Sequence, residues 1–424
     1  MISARVFIFV FLVGRIFYEL VLSKLNDVQR KKPLPEEVSD VYDKDRYQTY
    51  LNFTAEKKRL SIKFKVINLF LDSLIIFSPV YEYIDTWCNH NSYLAYLVIF
   101  AITWGIEIVV NTISSYIETF GIMEKYGMNK KDKKEFTKDI VLNGLFELII
   151  SVGLGELLTY IGEHMAVWTN DFSVGYVKSI IICAVIFVVL FLVFSLAKLI
   201  AFAVLKKQYK FTRMEDGPLR DKINSLLAGS RKKVKEIYVY NESKKSTRKN
   251  AFLLKLFWHR EFGIADNFMN ENAEDELMAV LSHEIGHLKH KKNLLNFLKY
   301  LETIAIMVLI VLLVVNPDII LSITNWIRES FHISANNYNL IIIVFFNIYK
   351  PVSFLSHMFN SYVSRTEEYE ADREAVKNGY GEALIRTFKT LSSDELINVY
   401  PHPVVEFIEY DHPGMYQRIK AINS

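Results

Sequence analysis

The chain has 424 residues, with 50 Lys and Arg against 47 Asp and Glu, a net charge of +3 and only two cysteines, Cys88 and Cys183. So small a net charge gives no case for a nucleic-acid binder, and two cysteines exclude a disulfide framework or a thiolate zinc cluster. Hydrophobic residues make up 51% and charged residues 23%, which reads as long apolar runs divided by charged loops rather than as several soluble domains.

Seven runs are long and apolar enough to cross a bilayer: 2–25, 66–84, 93–117, 140–161, 176–205, 302–323 and 339–363. The first lacks a basic n-region and a small-residue cleavage site and carries Arg15 and Glu19, so a retained helix is expected there rather than a signal peptide. Asn316-Pro317-Asp318 interrupts the sixth run, and Lys350-Pro351 predicts a kink or a break in the seventh. Residues 26–65 hold ten Lys/Arg and 119–138 hold six, whereas 85–92 and 162–173 hold none. The positive-inside rule then places the N-terminus in the lumen and the segments after helices 1, 3, 5 and 7 in the cytosol. Asp72, Glu107, Glu147, Glu156 and Lys178 fall within or near the spans. Isolated ionisable groups are costly at that depth, so the helices are expected to enclose a wet interior.

The expected organisation is a predominantly α-helical membrane protein in four parts. Residues 1–205 hold five transmembrane helices with cytosolic loops 26–65 and 119–138. Residues 206–301 form a cytosolic segment, 302–363 hold helices 6 and 7, and 364–424 form a cytosolic tail. The two polar segments share one side of the membrane and can build one site together.

The segment 206–301 opens with a basic stretch, Lys206 to Lys210, and a predicted helix, Leu219 to Leu227. Three strand-like runs follow, Glu236–Tyr240, Asn250–Phe257 and Phe262–Phe268. They lead into Glu276–His290, where Leu277, Val280, Leu281, Ile285 and Leu288 recur at helical spacing. On that helix His283, Glu284 and His287 spell H-E-x-x-H: two imidazoles one turn apart can hold one Zn²⁺, and the Glu can take a proton from a water on the metal. Gly286 is expected to leave room beside the metal. An extended peptide adds to the edge of such a sheet through main-chain hydrogen bonds, and small Ala251 with the Asn250 amide beside it would let a peptide backbone approach.

A catalytic zinc site needs a third protein ligand and an open position. His290 shares the helix face, but a straight helix puts it about 10 Å from His283, too far for both to bind one ion, and it is expected in solvent. Glu368 and Asp372 stand four apart on a predicted helix that starts as helix 7 leaves the membrane. One carboxylate of that pair can ligate the metal while the other accepts the free N–H of a ligand His and sets its tautomer. Glu367 and Glu370 point elsewhere.

These residues resemble the type I CAAX prenyl proteases, the family of the yeast a-factor-converting enzyme. Its members carry H-E-[IL]-G-H, then S-R-x-x-E-[YF]-x-A-D, then H-P-P-x-x-x-R. The chain has His283 to His287, then Ser364 to Asp372, then His412 to Arg418, with Gly414 in place of the second Pro. Asn250-Ala251-Phe252 is similar to the family's substrate strand, and Glu118 to Lys130 to its loop after helix 3. The resemblance implies one zinc held by His283, His287 and Glu368, with Asp372 behind them and Glu284 as general base. His412 and Arg418 would stabilise the tetrahedral oxyanion or orient Glu368, and Asn250 and Ala251 would bind substrate. It also implies seven helices around a water-filled chamber, with a gluzincin-like metalloprotease domain and a small β-sheet closing the cytosolic end. Substrates would be prenylated C-a-a-X proteins that lose their last three residues, and some members make a second, upstream cut. The family works in the endoplasmic reticulum membrane and, for some members, the inner nuclear membrane, in contact with lipid; a monomer is expected. Two other readings share part of the pattern. A quality-control zinc protease of the bacterial heat-shock type has H-E-x-x-H and the Glu-x-x-x-Asp helix but about four spans. A non-catalytic seven-helix protein would have no use for Glu284.

Overall fold

A computed structural model of the chain describes residues 2–169, 175–228, 233–256, 259–271, 273–289, 317–334 and 338–424, with scattered residues between 295 and 305. Helix α1 (Ala4–Gln29) begins at Ser3, whose hydroxyl accepts the Val6 N–H. Helix α2 (Lys44–Phe77) begins at Asp43, whose carboxylate accepts the Arg46 N–H at 2.7 Å. The second apolar run is therefore the end of a much longer helix that starts inside the expected loop 26–65. It also stops earlier than expected. Pro79 lacks the N–H that a continuing helix needs, and a separate short helix α3 (Val80–Trp87) follows.

Helix α4 (Ser92–Tyr116) runs on as a π-helical turn over Ile117–Met123, so the expected loop 119–138 shrinks to the residues around Gly127, which takes φ 73°. Helices α5 (Lys133–Thr169) and α6 (Gly175–Gln208) both outrun the apolar stretches that marked them. Among the described residues four helical stretches are long and apolar enough to cross a membrane: Ala4–Gln29, Ser92–Met123, Lys133–Leu157 and Phe187–Gln208. Much of the sixth expected span, including residues 306–316, lies outside the described residues. Glu107 and Glu147 line a cavity of about 130 Å³ between α4 and α5 together with Asn111 and Asn143, while the Lys178 side chain lies outside the described residues.

Beyond α6 the chain folds a small mixed sheet from β1 (Thr212–Arg213), β2 (Glu236–Tyr240), β3 (Ala251–Leu256) and β4 (His259–Ala265), with α7 (Pro218–Ala228) between the first two. The order is β1-β2-β4-β3, with β2 and β4 parallel and the outer pairs antiparallel. Strand β3 therefore ends the sheet with one open edge. The third expected strand starts earlier and ends at Ala265, and Phe268 belongs to a short helix α8 (Asp266–Glu271). Ile237, Phe262, Ile264 and Ala251 are buried against Leu277, Leu281 and Ile285 of α9 (Glu274–Lys289). Alternation along the strands thus turns one face of the sheet to the H-E-x-x-H helix.

Helix α10 spans Pro317–Phe331 among the described residues. Helix α11 (Tyr338–Lys377) then runs unbroken through Pro351. The expected break is absent, and the seventh span and the Glu368 helix are one element. Helices α12 (Gly381–Asp394), α13 (Pro403–Glu409) and α14 (Met415–Asn423) complete the tail.

Candidate active site

The first turn of α9 carries Glu274, Asp275 and Glu276, the charges that suit a helix N-terminus. Its apolar stripe seats the helix on the sheet, which turns His283 and His287 toward α11. The two helices touch at Gly286: a Cβ there would come 2.7 Å from the Ala371 Cα. The expectation that this glycine makes room for the metal is thus corrected; the space belongs to the backbone of the neighbouring helix. The seam is closed by the Asn378 amide donating to Ser282 Oγ at 2.7 Å and by an ion pair between Lys289 and Glu374.

This contact brings together three groups from two distant stretches of sequence. Glu368 Oε2 lies 3.4 Å from His283 Nε2, and Glu368 Oε1 lies 3.2 Å from His287 Nε2. Two ligand atoms each about 2.0–2.1 Å from one ion at a tetrahedral angle stand about 3.3–3.4 Å apart, so the spacing suits a single cation. Glu368 Oε2 is buried and makes no hydrogen bond, which a metal would remedy. The chemistry of the donor set, two imidazoles and one carboxylate, fits a zinc-type site with an open fourth position.

Behind the histidines stands a buried polar network. Asp372 Oδ1 lies 2.8 Å from His283 Nδ1. Arg418 grips the same carboxylate with Nε at 2.8 Å and Nη2 at 2.6 Å, and its Nη1 lies 3.4 Å from Glu368 Oε2. The guanidinium also lies over the Phe388 ring, 4.1 Å from its centroid. Burial alone would pull the His283 pKa down, but its hydrogen bond to Asp372 and the nearby Glu368 carboxylate carry it up to about 9. Burial would raise Glu368 and Asp372, yet His283 and Arg418 hold both below the usual carboxylate range, with His287 adding to the pull on Glu368. Arg418 is committed to Asp372 and is 7% exposed. Of its two expected roles, the geometry suits orientation of Asp372 and Glu368 rather than contact with a substrate oxyanion.

Glu284 points to the sheet. Its Oε2 accepts the Leu253 N–H of β3 at 3.2 Å, so the carboxylate stands at the open edge of the outermost strand. Ala251 is buried and Asn250 exposed at the start of that strand. His412 is 58% exposed, with Nε2 3.5 Å from Glu368 Oε1 and Nδ1 2.9 Å from Asp411. It flanks the cluster from the solvent side. Glu367 stays outside the cluster, and His290 lies outside the described residues.

The family described as Peptidase family M48 matches residues 213–424, half of the chain. The chain belongs to peptidase family M48. Membership makes it a metalloprotease, and a second family description, "CAAX prenyl protease N-terminal, five membrane helices", matches residues 24–201. The probable CAAX prenyl protease 1 of Schizosaccharomyces pombe is 26% identical over 97% of this chain and 87% of its own length. The CAAX prenyl protease 1 of Saccharomyces cerevisiae is 24% identical over 92% of this chain and 88% of its own. The crystal structure of S. mikatae Ste24p superposes with a TM-score of 0.82 at 23% identity, covering 100% of both chains, so the two share a fold.

In this M48 peptidase two supports escaped the sequence reading. Arg365 donates to the backbone carbonyls of Glu406, at 3.3 Å, and Tyr410, and lies 5.5 Å from the Phe407 ring centroid, anchoring α13 just ahead of His412. Glu406 Oε1 accepts the Gly414 N–H at 2.8 Å. Gly414 stands where the resembled motif has a second Pro, which could not donate this bond. Arg365 was visible inside its motif, but nothing in the sequence named its partners; the Glu406–Gly414 pairing left no signal beyond the odd glycine.

Proposed function

We propose that this M48 peptidase is a zinc endopeptidase that removes the last three residues from prenylated C-a-a-X proteins. The observation that carries the reading is the placement of Glu284 between the His283–His287–Glu368 cluster and the open edge of β3. A peptide lying along that edge would present its backbone to the carboxylate that accepts the Leu253 N–H and stands on the same helix as the two histidines.

His283, His287 and Glu368 would hold the zinc. Bound there, the ion supplies a Lewis acid that polarises the peptide carbonyl and eases deprotonation of water. Glu284 takes the proton of the attacking water at its carboxylate and returns it to the leaving amine. The Leu253 N–H keeps that carboxylate aimed along the edge. Asp372 sets the His283 tautomer by accepting the Nδ1–H hydrogen bond, and Arg418 positions Asp372 and Glu368. His412 faces the open side and is placed to donate to the developing oxyanion. Asn250 and Ala251 line the approach of the peptide.

The same reading takes in the membrane part. Seven spans would enclose a chamber with the site at its cytosolic end and the N-terminus in the lumen, in the endoplasmic reticulum membrane or the inner nuclear membrane. The prenyl chain would remain in lipid or against an apolar wall while the peptide reaches the edge strand, and one chain would suffice.

The test is purified protein with a C-a-a-X peptide, prenylated and unprenylated, wild type beside Glu284→Gln. Zinc-dependent cleavage that favours the prenylated peptide and falls about 10²–10⁴-fold in Glu284→Gln is expected. Equal cleavage of both peptides points instead to a quality-control protease, and full activity in the Gln variant sinks the assignment of the base.

A further inference from the structure

A cavity of about 440 Å³ opens beside the start of β3, and Asn250 lines it. Tyr209, Phe211, Tyr240 and Phe252 wall it, and Arg248 and Lys249 stand at its rim. Phe211 stacks on Tyr240 at 5.2 Å, and the Phe252 ring lies 5.3 Å from Tyr240. Gly263 lies beneath them: a Cβ there would come 2.8 Å from the Phe252 ring, which would have to shift.

The polarity of the edge says what passes this cavity. The Ala265 N–H donates to the Asn250 carbonyl at 2.8 Å, whereas the Leu253 N–H turns the other way, to Glu284. The main chain of Asn250 and Phe252 thus faces β4, and that of Ala251 and Leu253 faces the open edge. A peptide added antiparallel to β3 runs from Leu253 toward Ala251, so its carboxyl end leads to Asn250, Lys249 and Arg248. A bond cut beside Glu284 lies level with Leu253. Three further residues at about 3.3 Å each span about 10 Å, which brings a chain terminus level with Lys249 and Asn250, within side-chain reach of Arg248.

We propose that this cavity receives the three residues beyond the cut, and that Arg248 binds their free terminal carboxylate. The inference rests on the proposed function and adds a specificity residue: the enzyme would measure its cut from the chain end. Apolar side chains on alternate residues would lie against the aromatic wall, on the face that Phe252 presents.

Arg248 is built for the task. Its backbone is pinned, the carbonyl accepting Asn267 Nδ2 at 2.7 Å and the N–H donating to Ser246 Oγ at 3.2 Å. Its side chain is 64% exposed, and its Nε stands 3.9 Å from Glu395, beyond hydrogen-bond reach. Burial pushes the Glu395 carboxyl pKa up, with Arg248 opposing and Asp394 and Glu242 adding to the rise. Lys249 donates to Asp394 at 3.3 Å and adds positive charge to the rim.

The test uses the full-length, zinc-loaded protein and one prenylated C-a-a-X peptide made twice, with a free C-terminal carboxylate and with a C-terminal amide. Wild type should prefer the acid about tenfold or more in kcat/KM. Arg248→Ala should lose about tenfold on the acid, mostly in KM, and treat acid and amide alike, while Arg248→Lys should recover part of the preference. A wild-type enzyme that cuts acid and amide equally overturns this inference and leaves the protease reading standing. An Arg248→Ala enzyme that keeps the preference, or loses both peptides equally, overturns the role of Arg248. A wild-type enzyme that cuts neither overturns the proposed function and this inference together.

Discussion

Helices α6 and α9 are both rich in apolar residues and wear them in opposite ways. Along α6, Phe191, Leu192, Phe194 and Leu196 are each more than half exposed, and none of the span Phe187–Gln208 that qualifies for the membrane is buried inside the protein. Along α9, Leu277, Leu281, Ile285 and Leu288 are buried, and so are Ser282 and His283. A surface like that of α6 is stable only in hydrocarbon, where an exposed leucine loses nothing. The α9 helix is built to pack between the sheet and α11, exposed only at its first turn, and it buries polar groups because they have partners. One chain thus follows two solvent rules, and the metal cluster sits where the second rule holds.

The comparison predicts that substitutions on the α9–α11 seam are severe and those on the α6 surface mild. The largest effect belongs to Glu368→Ala, which should abolish zinc retention on metal analysis of the purified protein while Glu367→Ala keeps about one ion per chain; the reverse result would move the third ligand to Glu367. Next comes Arg418→Lys, which keeps the charge but not the two-pronged grip on Asp372. It should weaken zinc binding or kcat about 10–100-fold with little change in KM, and an unaltered kcat and zinc affinity would show that Asp372 holds its place unaided. Gly286→Ala must push α9 away from the Ala371 backbone, at about 1–3 kcal/mol in stability, read as a lower melting temperature with partial loss of zinc. A fully stable Gly286→Ala would mean the helices separate at no cost. The smallest effect is Leu192→Ala on α6, expected within about 0.5 kcal/mol and with wild-type zinc content and activity. A large loss there would place Leu192 against protein rather than lipid.

Much of the candidate site was legible because local chemistry writes itself at fixed spacing. His283, Glu284 and His287 are one turn apart on any α-helix, and Glu368 and Asp372 likewise. The strand Glu236–Tyr240 was found to the residue, since a short β-branched and aromatic run between turn residues allows little else. Helix ends were read less well, and in one direction: α2, α5 and α6 all extend beyond their apolar cores. Hydropathy marks where a helix meets lipid, not where its hydrogen bonds stop. The helix does not break at Pro351, because a long helix can carry one proline when its neighbours and local adjustments compensate for the lost bond. Gly286 misled because a glycine beside a metal motif has two uses, and only the position of Ala371 separates them.

The sequence by itself narrowed the chemistry: which side chains could bind a cation, which carboxylate could act as base, and which stretches are apolar enough for a bilayer. Those properties depend on residue type and on spacings within one turn or one strand. Tertiary structure alone decided that β3 is the outermost strand, that its Leu253 N–H reaches Glu284, and that Arg418 spends its guanidinium on Asp372. These facts join residues 31 and 46 positions apart. No local pattern encodes such pairings; they follow from strand order and from two helices allowed to touch at a glycine.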